Sequence, residues 1–284
     1  MLDLRYHVAS LSAVFLALVI GILVGVGISG RGFVDKSERR NFENRIAALQ
    51  SQVTQLNAEK ALIDQQGAAA RTFAQETYPV LMQDRLASKR VGLLVIGSAG
   101  GAAADVRQAL SDAGAVVSLY RVVKVPVDPT AVRNVLRRFP AFRRLDDVGH
   151  ELAQEWVSQG VTPISDAVSP LLVEEQRGAP GKGLDGVVVL QGAPAADAAT
   201  ARFLRGFLQG LTTSSVPVVG AETTDTEPSR VPEWSDAGGM STVDDVDTTS
   251  GKLALALLLG GAPGGHFGVK PAADAPLPRI EPAG

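Results

Sequence analysis

Three carboxylates are clustered near the end of the chain, in the run Ser241-Thr242-Val243-Asp244-Asp245-Val246-Asp247. The run is typical of a short strand whose carboxyl end carries the acids, directly before a helical segment. Carboxylates so placed could hold a hard cation. The structural alternative is that Asp247 or Thr248 caps the following helix, while the other acids interact with its N-terminal dipole or with solvent. The residues themselves favour the structural interpretation.

A glycine-rich segment, Gly97-Ser98-Ala99-Gly100-Gly101, follows the apolar run at residues 91–96 and precedes a helical pattern. Backbone N–H groups in a strand-to-helix turn can bind an anion. The segment lacks the complete GxGxxG spacing, and neither a Walker lysine nor an acidic ribose partner accompanies it. A plain tight turn is therefore the favoured interpretation, with phosphate or nucleotide binding as the alternative.

Arginines are concentrated around an aromatic turn in the middle of the chain. A polyanion or a lipid headgroup could bind to such a patch. Solvated helix faces beside a short turn would explain the same residues without a ligand, and this is the favoured interpretation. The five arginines, which flank Phe139, Pro140 and Phe142, are Arg133, Arg137, Arg138, Arg143 and Arg144.

Composition excludes several other classes of chemistry. The chain has no cysteine, so disulfides, thiolate metal sites and thiol nucleophiles are absent. The three histidines, His7, His150 and His266, lie far apart, and no nucleophile and base stand at catalytic spacing, so we predict that the chain is not an enzyme. A formal net charge of -3 gives no global basic field, and nucleic acid is not expected as a partner.

These candidate residues are carried by alternating strand and helix patterns between residues 90 and 269. Short apolar, β-branched runs predict buried strands, and amphipathic segments between them predict helices. Such alternation predicts an α/β fold with a doubly wound, mainly parallel, five-stranded sheet. The proline-rich tail, residues 270–284, is predicted to be disordered. The predicted strands are residues 91–96, 115–120, 186–190, 216–219 and 240–243, and the predicted helices are residues 102–113, 130–139, 145–159, 197–211 and 251–259.

An uncharged apolar run from Val8 to Ser29 precedes this domain. About 20 apolar residues are enough for a helix to cross the hydrocarbon core, so residues 1–32 are predicted to be a transmembrane anchor. A cleaved signal peptide is the alternative, because Gly27 and Ser29 are small, although the run is longer than a usual signal core. The Gly21–Gly25 spacing favours close pairing of two membrane helices.

Residues 33–89 are predicted to form a stalk. Apolar residues alternate at spacings of four and three, which is typical of a coiled-coil seam with Lys60 as its one polar position. This seam predicts a homo-oligomer, in the simplest case a homodimer. An amphipathic helix packed on its own domain is the alternative. The seam residues are Phe42, Ile46, Leu49, Val53, Leu56 and Ile63.

Charge alone gives an ambiguous orientation in the membrane. Five basic residues follow the span, whereas Arg5 and the α-amino group precede it, so the positive-inside rule would place the C-terminal side in the cytoplasm. The same residues could equally belong to the solvated face of the stalk helix.

Sequence patterns at both ends resemble one known family. They are LRYHV at residues 4–8, SLSAVFLAL at residues 10–18 with Gly21, the acidic run at residues 241–247, and Gly264-Gly265-His266. Together they resemble the actinobacterial copper transport protein B (MctB-like) family over nearly the whole chain. The resemblance implies a single-span membrane protein of the cell envelope, with its domain outside the cytoplasmic membrane and a part in copper efflux and copper homeostasis. The mycobacterial member is described as a channel-forming outer-membrane protein.

The ligand preferences of copper limit which residues of this chain could bind it. Cu(I) prefers thiolates and thioethers, whereas the three methionines, at positions 1, 82 and 240, are not clustered. Cu(II) accepts imidazole and carboxylate ligands. The candidate metal ligands are therefore Asp244, Asp245, Asp247 and His266, with copper suspected from the resemblance only.

Three hypotheses remain open. In the first, which we prefer, the chain is a homodimeric, single-pass envelope protein that contributes to copper transport. In the second, it is a coiled-coil scaffold that recruits an envelope partner such as a cell-wall hydrolase or a division component. In the third, it is an anchored α/β enzyme that uses the Gly97–Gly101 segment and the acidic loop on an anionic substrate.

Overall fold

The computed structural model describes residues 4–29, 34–192, 194–236 and 238–281. The chain divides into two compact units, residues 1–70 and 71–284, and each is described by itself. The first unit contains helix α1 (Leu4–Ser29) and the first part of the long helix α2 (Val34–Met82). The second contains the end of α2 and the whole sheet.

Helix α1 exposes apolar side chains throughout its described central part. Its His7–Gly27 segment has a mean hydropathy of 2.6, and no part of it is buried. Among the described residues it is the one helix long and apolar enough to cross a membrane. These properties fit the predicted membrane anchor.

In the first unit, α2 carries the predicted seam as an exposed apolar stripe. The six seam side chains, from Phe42 to Ile63, are between 51% and 66% exposed. The helix continues through Gly67 and Pro79, where the sequence predicts a loosening and a break. Pro79 is tolerated in the second unit because the adjacent turn packs against the sheet domain through Tyr78 and Met82.

Seven strands form a single sheet in the order β3-β2-β1-β4-β5-β6-β7. Every neighbouring pair is parallel except β2 and β3, which are antiparallel. The α/β class and the mainly parallel sheet are confirmed, but the predicted count of five strands is corrected to seven. The strands are β1 (Arg90–Ile96), β2 (Val116–Val123), β3 (Val173–Arg177), β4 (Gly186–Gln191), β5 (Val218–Ala221), β6 (Ser241–Val243) and β7 (His266–Phe267).

Pattern reasoning missed the two strands at the edges of the sheet. The β3 sequence, VEEQR, is polar, and four of its five residues are exposed. An edge strand needs hydrogen bonds on one side only and can face solvent, so it need not contain an apolar run. The β7 strand has only two residues, too few for a periodicity to be recognised.

Helices cover both faces of the sheet, as a doubly wound fold requires. Helices α4 to α8, with the 3₁₀ turn Leu136–Arg138 after α4, contribute to the core on one face, and α3, α9 and the end of α2 contribute to the core on the other. Helices α6 and α8 were not predicted. The helices are α3 (Ala102–Asp112), α4 (Pro129–Val135), α5 (Leu145–Val157), α6 (Pro163–Leu172), α7 (Ala198–Thr212), α8 (Val231–Asp236) and α9 (Thr249–Leu259).

The central strands supply side chains alternately to the two cores. In β1, Leu94 and Ile96 belong to one core, whereas Leu93 and Val95 belong to the other. Successive side chains of a strand point to opposite faces, so a strand between two helical layers must be apolar throughout. This is why the run at residues 91–96 is continuous rather than alternating.

Residues 270–281, for which the composition predicts disorder, make specific contacts with the second unit. The Asp274 N–H donates to the His266 carbonyl oxygen at 2.7 Å, Ala275 forms a β-bridge with Phe267, and Leu277 packs against the core. Prolines prevent a regular helix or strand here, but they do not prevent side chains from packing. The predicted disorder of residues 282–284 lies outside the described residues.

Helices α5 and α7 pack closely because glycines line their contact. A Cβ atom on Gly206 of α7 would overlap the carbonyl oxygen of Asp146, and one on Gly149 of α5 would overlap that of Phe203. The close approach lets the rings of Trp156 and Phe207 meet edge to face, with centroids 5.5 Å apart. The absence of a side chain at these positions therefore sets the helix spacing.

We expect Gly206→Ala to destabilise the protein by about 1–3 kcal/mol, because the added methyl group meets backbone atoms that cannot rotate away. Urea unfolding of the full chain in detergent, followed by tryptophan fluorescence, measures the loss. Gln209→Ala, an exposed position of the same helix, is the matched control and should change the midpoint little. Equal stability of the two variants would show that the helix spacing can relax.

Candidate functional site

A large cleft in the second unit opens at the carboxyl ends of the parallel strands. From β1 the chain first adds β2 on one side and later β4 on the other, so the loops after β1 and β4 diverge. Open α/β sheets bind ligands at this topological switch point. The cleft has a volume of about 1000 Å³, and we call it the switch-point cleft. Its lining comes from residues 97–102, 124–126, 174, 190–192, 221–223 and 225–227.

The predicted glycine segment forms one wall of this cleft. Gly97 and Gly100 have φ angles of +69° and +50°, which side-chain-bearing residues rarely adopt. Opposite them, a Cβ atom on Gly192 would overlap the Ser98 carbonyl oxygen, so the two loops touch backbone to backbone. Helix α3 begins here without a side-chain cap at Gly101. The segment is thus a tight turn that leaves backbone N–H groups near the cleft.

The charges of the cleft do not favour an anion. Lys124 is accompanied in the lining by the exposed carboxylates Glu174, Asp225 and Glu227. An acidic rim attracts cations and repels phosphates, which opposes the nucleotide alternative raised by the glycine segment. The cleft therefore fits a cationic or neutral polar ligand better than a phosphate.

A buried ion pair holds the wall formed by the loop after β5. Glu222, 2% exposed, accepts hydrogen bonds from Lys270 Nζ at 2.7 Å and from the Ser229 hydroxyl and the Arg230 N–H, both at 2.6 Å. Lys270 Nζ also donates to the Thr226 carbonyl oxygen at 2.8 Å. These bonds compensate the desolvation of both charges. Sequence reasoning missed Glu222, although its position directly after an apolar strand could have indicated it.

The predicted metal ligands lie near one another, but each has other partners. Asp244 accepts from the N–H groups of Val269 and Lys270 at 2.8 and 3.2 Å, so it closes the loop after β7. Asp247 accepts from the Thr224 N–H at 2.8 Å and from its hydroxyl at 2.7 Å. Both carboxylates therefore bind the backbone of neighbouring loops.

His266 is likewise engaged through both ring nitrogens. Nδ1 lies 2.9 Å from Thr242 Oγ1, and Nε2 lies 3.2 Å from Ser235 Oγ. Within the described ranges, no three His, Cys, Asp or Glu side chains converge in a way that could hold a metal ion. Copper binding by Asp244, Asp245, Asp247 and His266 stays a prediction.

Asp245 is the most perturbed of these groups. It is fully buried, and its Oδ2 atom accepts from the hydroxyls of Thr248 and Ser250 at 2.8 and 3.2 Å. Its Oδ1 atom has no hydrogen-bond partner among the described residues. Burial raises the pKa of Asp245, the two hydroxyls lower it in part, and the neighbouring charges of Asp244 and Asp247 raise it further. Thr248 itself caps α9, since its Oγ1 accepts from the Gly251 N–H.

The described methionines do not offer sulfur ligands to a site at the protein surface. Met82 and Met240, the two methionines within the described ranges, are 0% and 4% exposed and belong to the two cores. A thioether buried among apolar side chains stabilises packing and cannot meet an ion from solvent.

The predicted arginine patch is exposed, as its charge requires. The structure brings Arg133, Arg143 and Arg144 to a single pocket, together with Arg202 of α7, which the sequence did not connect with them. Arg137 and Arg138 lie outside this pocket. No sequence signal joins Arg202 to the others, since tertiary packing of α4, α5 and α7 creates the proximity.

Comparison with known protein families gives one match. Residues 1–137 and 157–278 match the family described as "Copper transport outer membrane protein, MctB". The match covers the apolar helix, all of α2 and the seven strands of the sheet. A comparison with curated proteins finds no match.

We predict that Asp245→Asn weakens the pH dependence of folding. The pKa of Asp245 is raised in the folded state, so its contribution to stability is complete below the unfolded value of about 4 and is lost as pH rises through the folded value. The free energy of unfolding, measured in urea from about pH 4 to pH 8, should therefore fall less in the variant than in the wild type.

Asp185→Asn is a control of opposite sign. Hydrogen bonds from the Arg90 N–H and guanidinium lower the pKa of Asp185, so the stability from this group is present above the unfolded pKa and is lost as pH falls through the folded pKa. Asp185→Asn should remove this loss of stability at acidic pH. Identical pH profiles for wild type and Asp245→Asn would refute the assignment.

Proposed function

This chain belongs to the family of copper transport outer membrane proteins, MctB, and from that premise we propose that it is a membrane-anchored cell-envelope protein that contributes to copper transport and copper homeostasis. In this proposal α1 spans the membrane once, and the sheet domain lies outside the cytoplasmic membrane. The match over most of the chain is the observation that carries the proposal. We propose no enzymatic activity.

The side chains that the domain offers limit which copper ion it could bind. Cysteine is absent and the two described methionines are buried, so a Cu(I) site built from sulfur is not supported. His266 is the one imidazole near the predicted carboxylates, and a ring nitrogen becomes available when its bond to Thr242 or Ser235 breaks. A direct role would thus use His266 with Cu(II), and an indirect role would leave this residue dispensable.

Copper content of cells tests this proposal. Deleting the gene from its host should raise cell-associated copper and sensitivity to copper salts, and the full chain should restore both. Zinc and nickel salts serve as specificity controls. His266→Ala should behave like the deletion if the imidazole binds copper, while His150→Ala, a partly buried histidine of α5, should restore like the wild type.

Unchanged copper content and copper sensitivity in the deletion would contradict the copper-transport proposal. If His266→Ala restores normal copper content and copper sensitivity, the copper role stands and direct copper binding by His266 is excluded.

A second candidate function is supported by the exposed seam of α2. Its six apolar side chains are more than half exposed, and burial of such a stripe in a parallel homodimeric coiled coil would remove it from water. A dimer of this form could present an envelope partner with two copies of the domain. This is the scaffold hypothesis, and it is compatible with the first.

Cysteine substitutions test the pairing, since the chain has no other thiol. Leu49→Cys places a thiol on the seam, where the two copies of a parallel dimer approach within disulfide range. A short, membrane-impermeant bis-maleimide should then yield covalent dimers in intact cells. Ser51→Cys, on the opposite side of the same helix, is the matched control and should not cross-link.

Cross-linking in intact cells and cross-linking only after lysis lead to different conclusions. Cross-linking in intact cells supports a dimer whose stalk is outside the cytoplasmic membrane. Cross-linking of Leu49→Cys only after lysis supports the dimer and contradicts the orientation. Absence of cross-linking in both preparations, or equal cross-linking of Ser51→Cys, contradicts the paired seam.

A further inference from the structure

A basic pocket, which shares no lining residue with the switch-point cleft, lies where α4, α5 and α7 meet. It has a volume of about 400 Å³ and contains four arginines, Arg133, Arg143, Arg144 and Arg202, and one carboxylate, Asp146. We call it the arginine pocket. Such a concentration of positive charge stands out in a chain whose net charge is -3. We therefore ask which of these arginines have partners within the chain.

Three of these guanidinium groups are held by backbone carbonyls. The Nε atom of Arg133 donates to the Pro129 oxygen at 3.0 Å, that of Arg143 to the Pro140 oxygen at 3.1 Å, and that of Arg202 to the Ala198 oxygen at 3.2 Å. The terminal nitrogens of all three have no partner among the described residues. The Nε bonds thus orient the three guanidinium groups, and their terminal N–H donors remain available to a ligand.

The acidic side chains nearest the pocket bond to Arg144 or to backbone N–H groups. Asp146 pairs with Arg144, at 2.6 Å from Nη2. Asp128 accepts from the Thr130 and Ala131 N–H groups and so caps α4. Asp197 caps α7 in the same way, through the N–H groups of residues 199 and 200. Arg133, Arg143 and Arg202 therefore have no ion-pair partner among the described residues.

We propose that the arginine pocket binds a phosphate group. Arginine presents a planar fork of donors that matches phosphate oxygens, and several forks around one pocket can bind more than one oxygen. The volume suits a small ligand or the headgroup of a larger one. A phosphate carried by a soluble anion and a phosphate carried by a lipid headgroup have the same recognition chemistry, and the test distinguishes them. This site is separate from any copper site.

The test uses the full chain in neutral detergent. One arm titrates inorganic phosphate and pyrophosphate by calorimetry, and the other adds phosphatidylglycerol to the micelles with phosphatidylcholine as the reference lipid. Saturable binding is expected in one arm or both. It should weaken as ionic strength rises, because the arginines are exposed.

Substitutions locate the site. Arg133→Gln and Arg202→Gln should each weaken binding by about tenfold, since each removes a charge-assisted hydrogen bond. Arg137→Gln is the matched control. Arg137 is equally exposed and lies in the 3₁₀ turn after α4, but it donates to Asn134 and does not line the pocket. It should change affinity by less than about twofold, the effect of a remote surface charge.

Binding of pyrophosphate or inorganic phosphate identifies a soluble ligand, and binding of phosphatidylglycerol alone identifies a headgroup. Either result, with the expected order of variants, supports the pocket. Two results overturn it. One is the absence of saturable binding in both arms, and the other is an equal loss in Arg137→Gln and Arg202→Gln, which would indicate a diffuse basic surface.

Discussion

The burial of β1 and β4 on both faces is the constraint on which the rest of the second unit depends. Strands whose side chains are all apolar must be covered by helices above and below. The chain satisfies this by building β2 and β3 on one side of β1 and β4 to β7 on the other, with helices on both faces. The switch-point cleft follows directly, because the loops after β1 and β4 run to opposite layers.

Buried charges then fix the loops around the cleft. Glu222 and Lys270 join the loop after β5 to the chain beyond β7. Asp244 binds the backbone at Val269 and Lys270. Apolar packing could not tie these segments so closely, since they are irregular and carry backbone N–H groups that need acceptors. Glu222 and Asp244 thus both stabilise the loops around the cleft.

The switch-point cleft and the arginine pocket have opposite electrostatic character. Carboxylates surround the switch-point cleft, and arginines surround the pocket between α4, α5 and α7. Ligands of opposite charge would be drawn to different pockets of one domain. Family membership connects the chain with copper transport. The arginine pocket has the chemistry of an anion site, which a role in copper binding does not explain.

The periodicity of the sequence was sufficient to predict the apolar helix, the α2 stripe, the central strands and the α/β class. Each of these depends on the local spacing of apolar residues, which solvent exposure and burial impose on any sequence. The β3 and β7 strands and helices α6 and α8 could not be predicted in this way. Edge strands tolerate polar residues, and very short elements carry no period.

The partners of most site side chains were decided by tertiary structure. The sequence placed Asp244, Asp247 and His266 near strand ends, but their hydrogen bonds to Lys270, Thr224 and Thr242 depend on how distant segments meet. Asp245 is the exception, because it bonds to Thr248 only three residues along the chain. Arg202 joins Arg133 and Arg143 through the packing of α4, α5 and α7. Local pattern determines which elements form, whereas the geometry of their packing determines which charges come together.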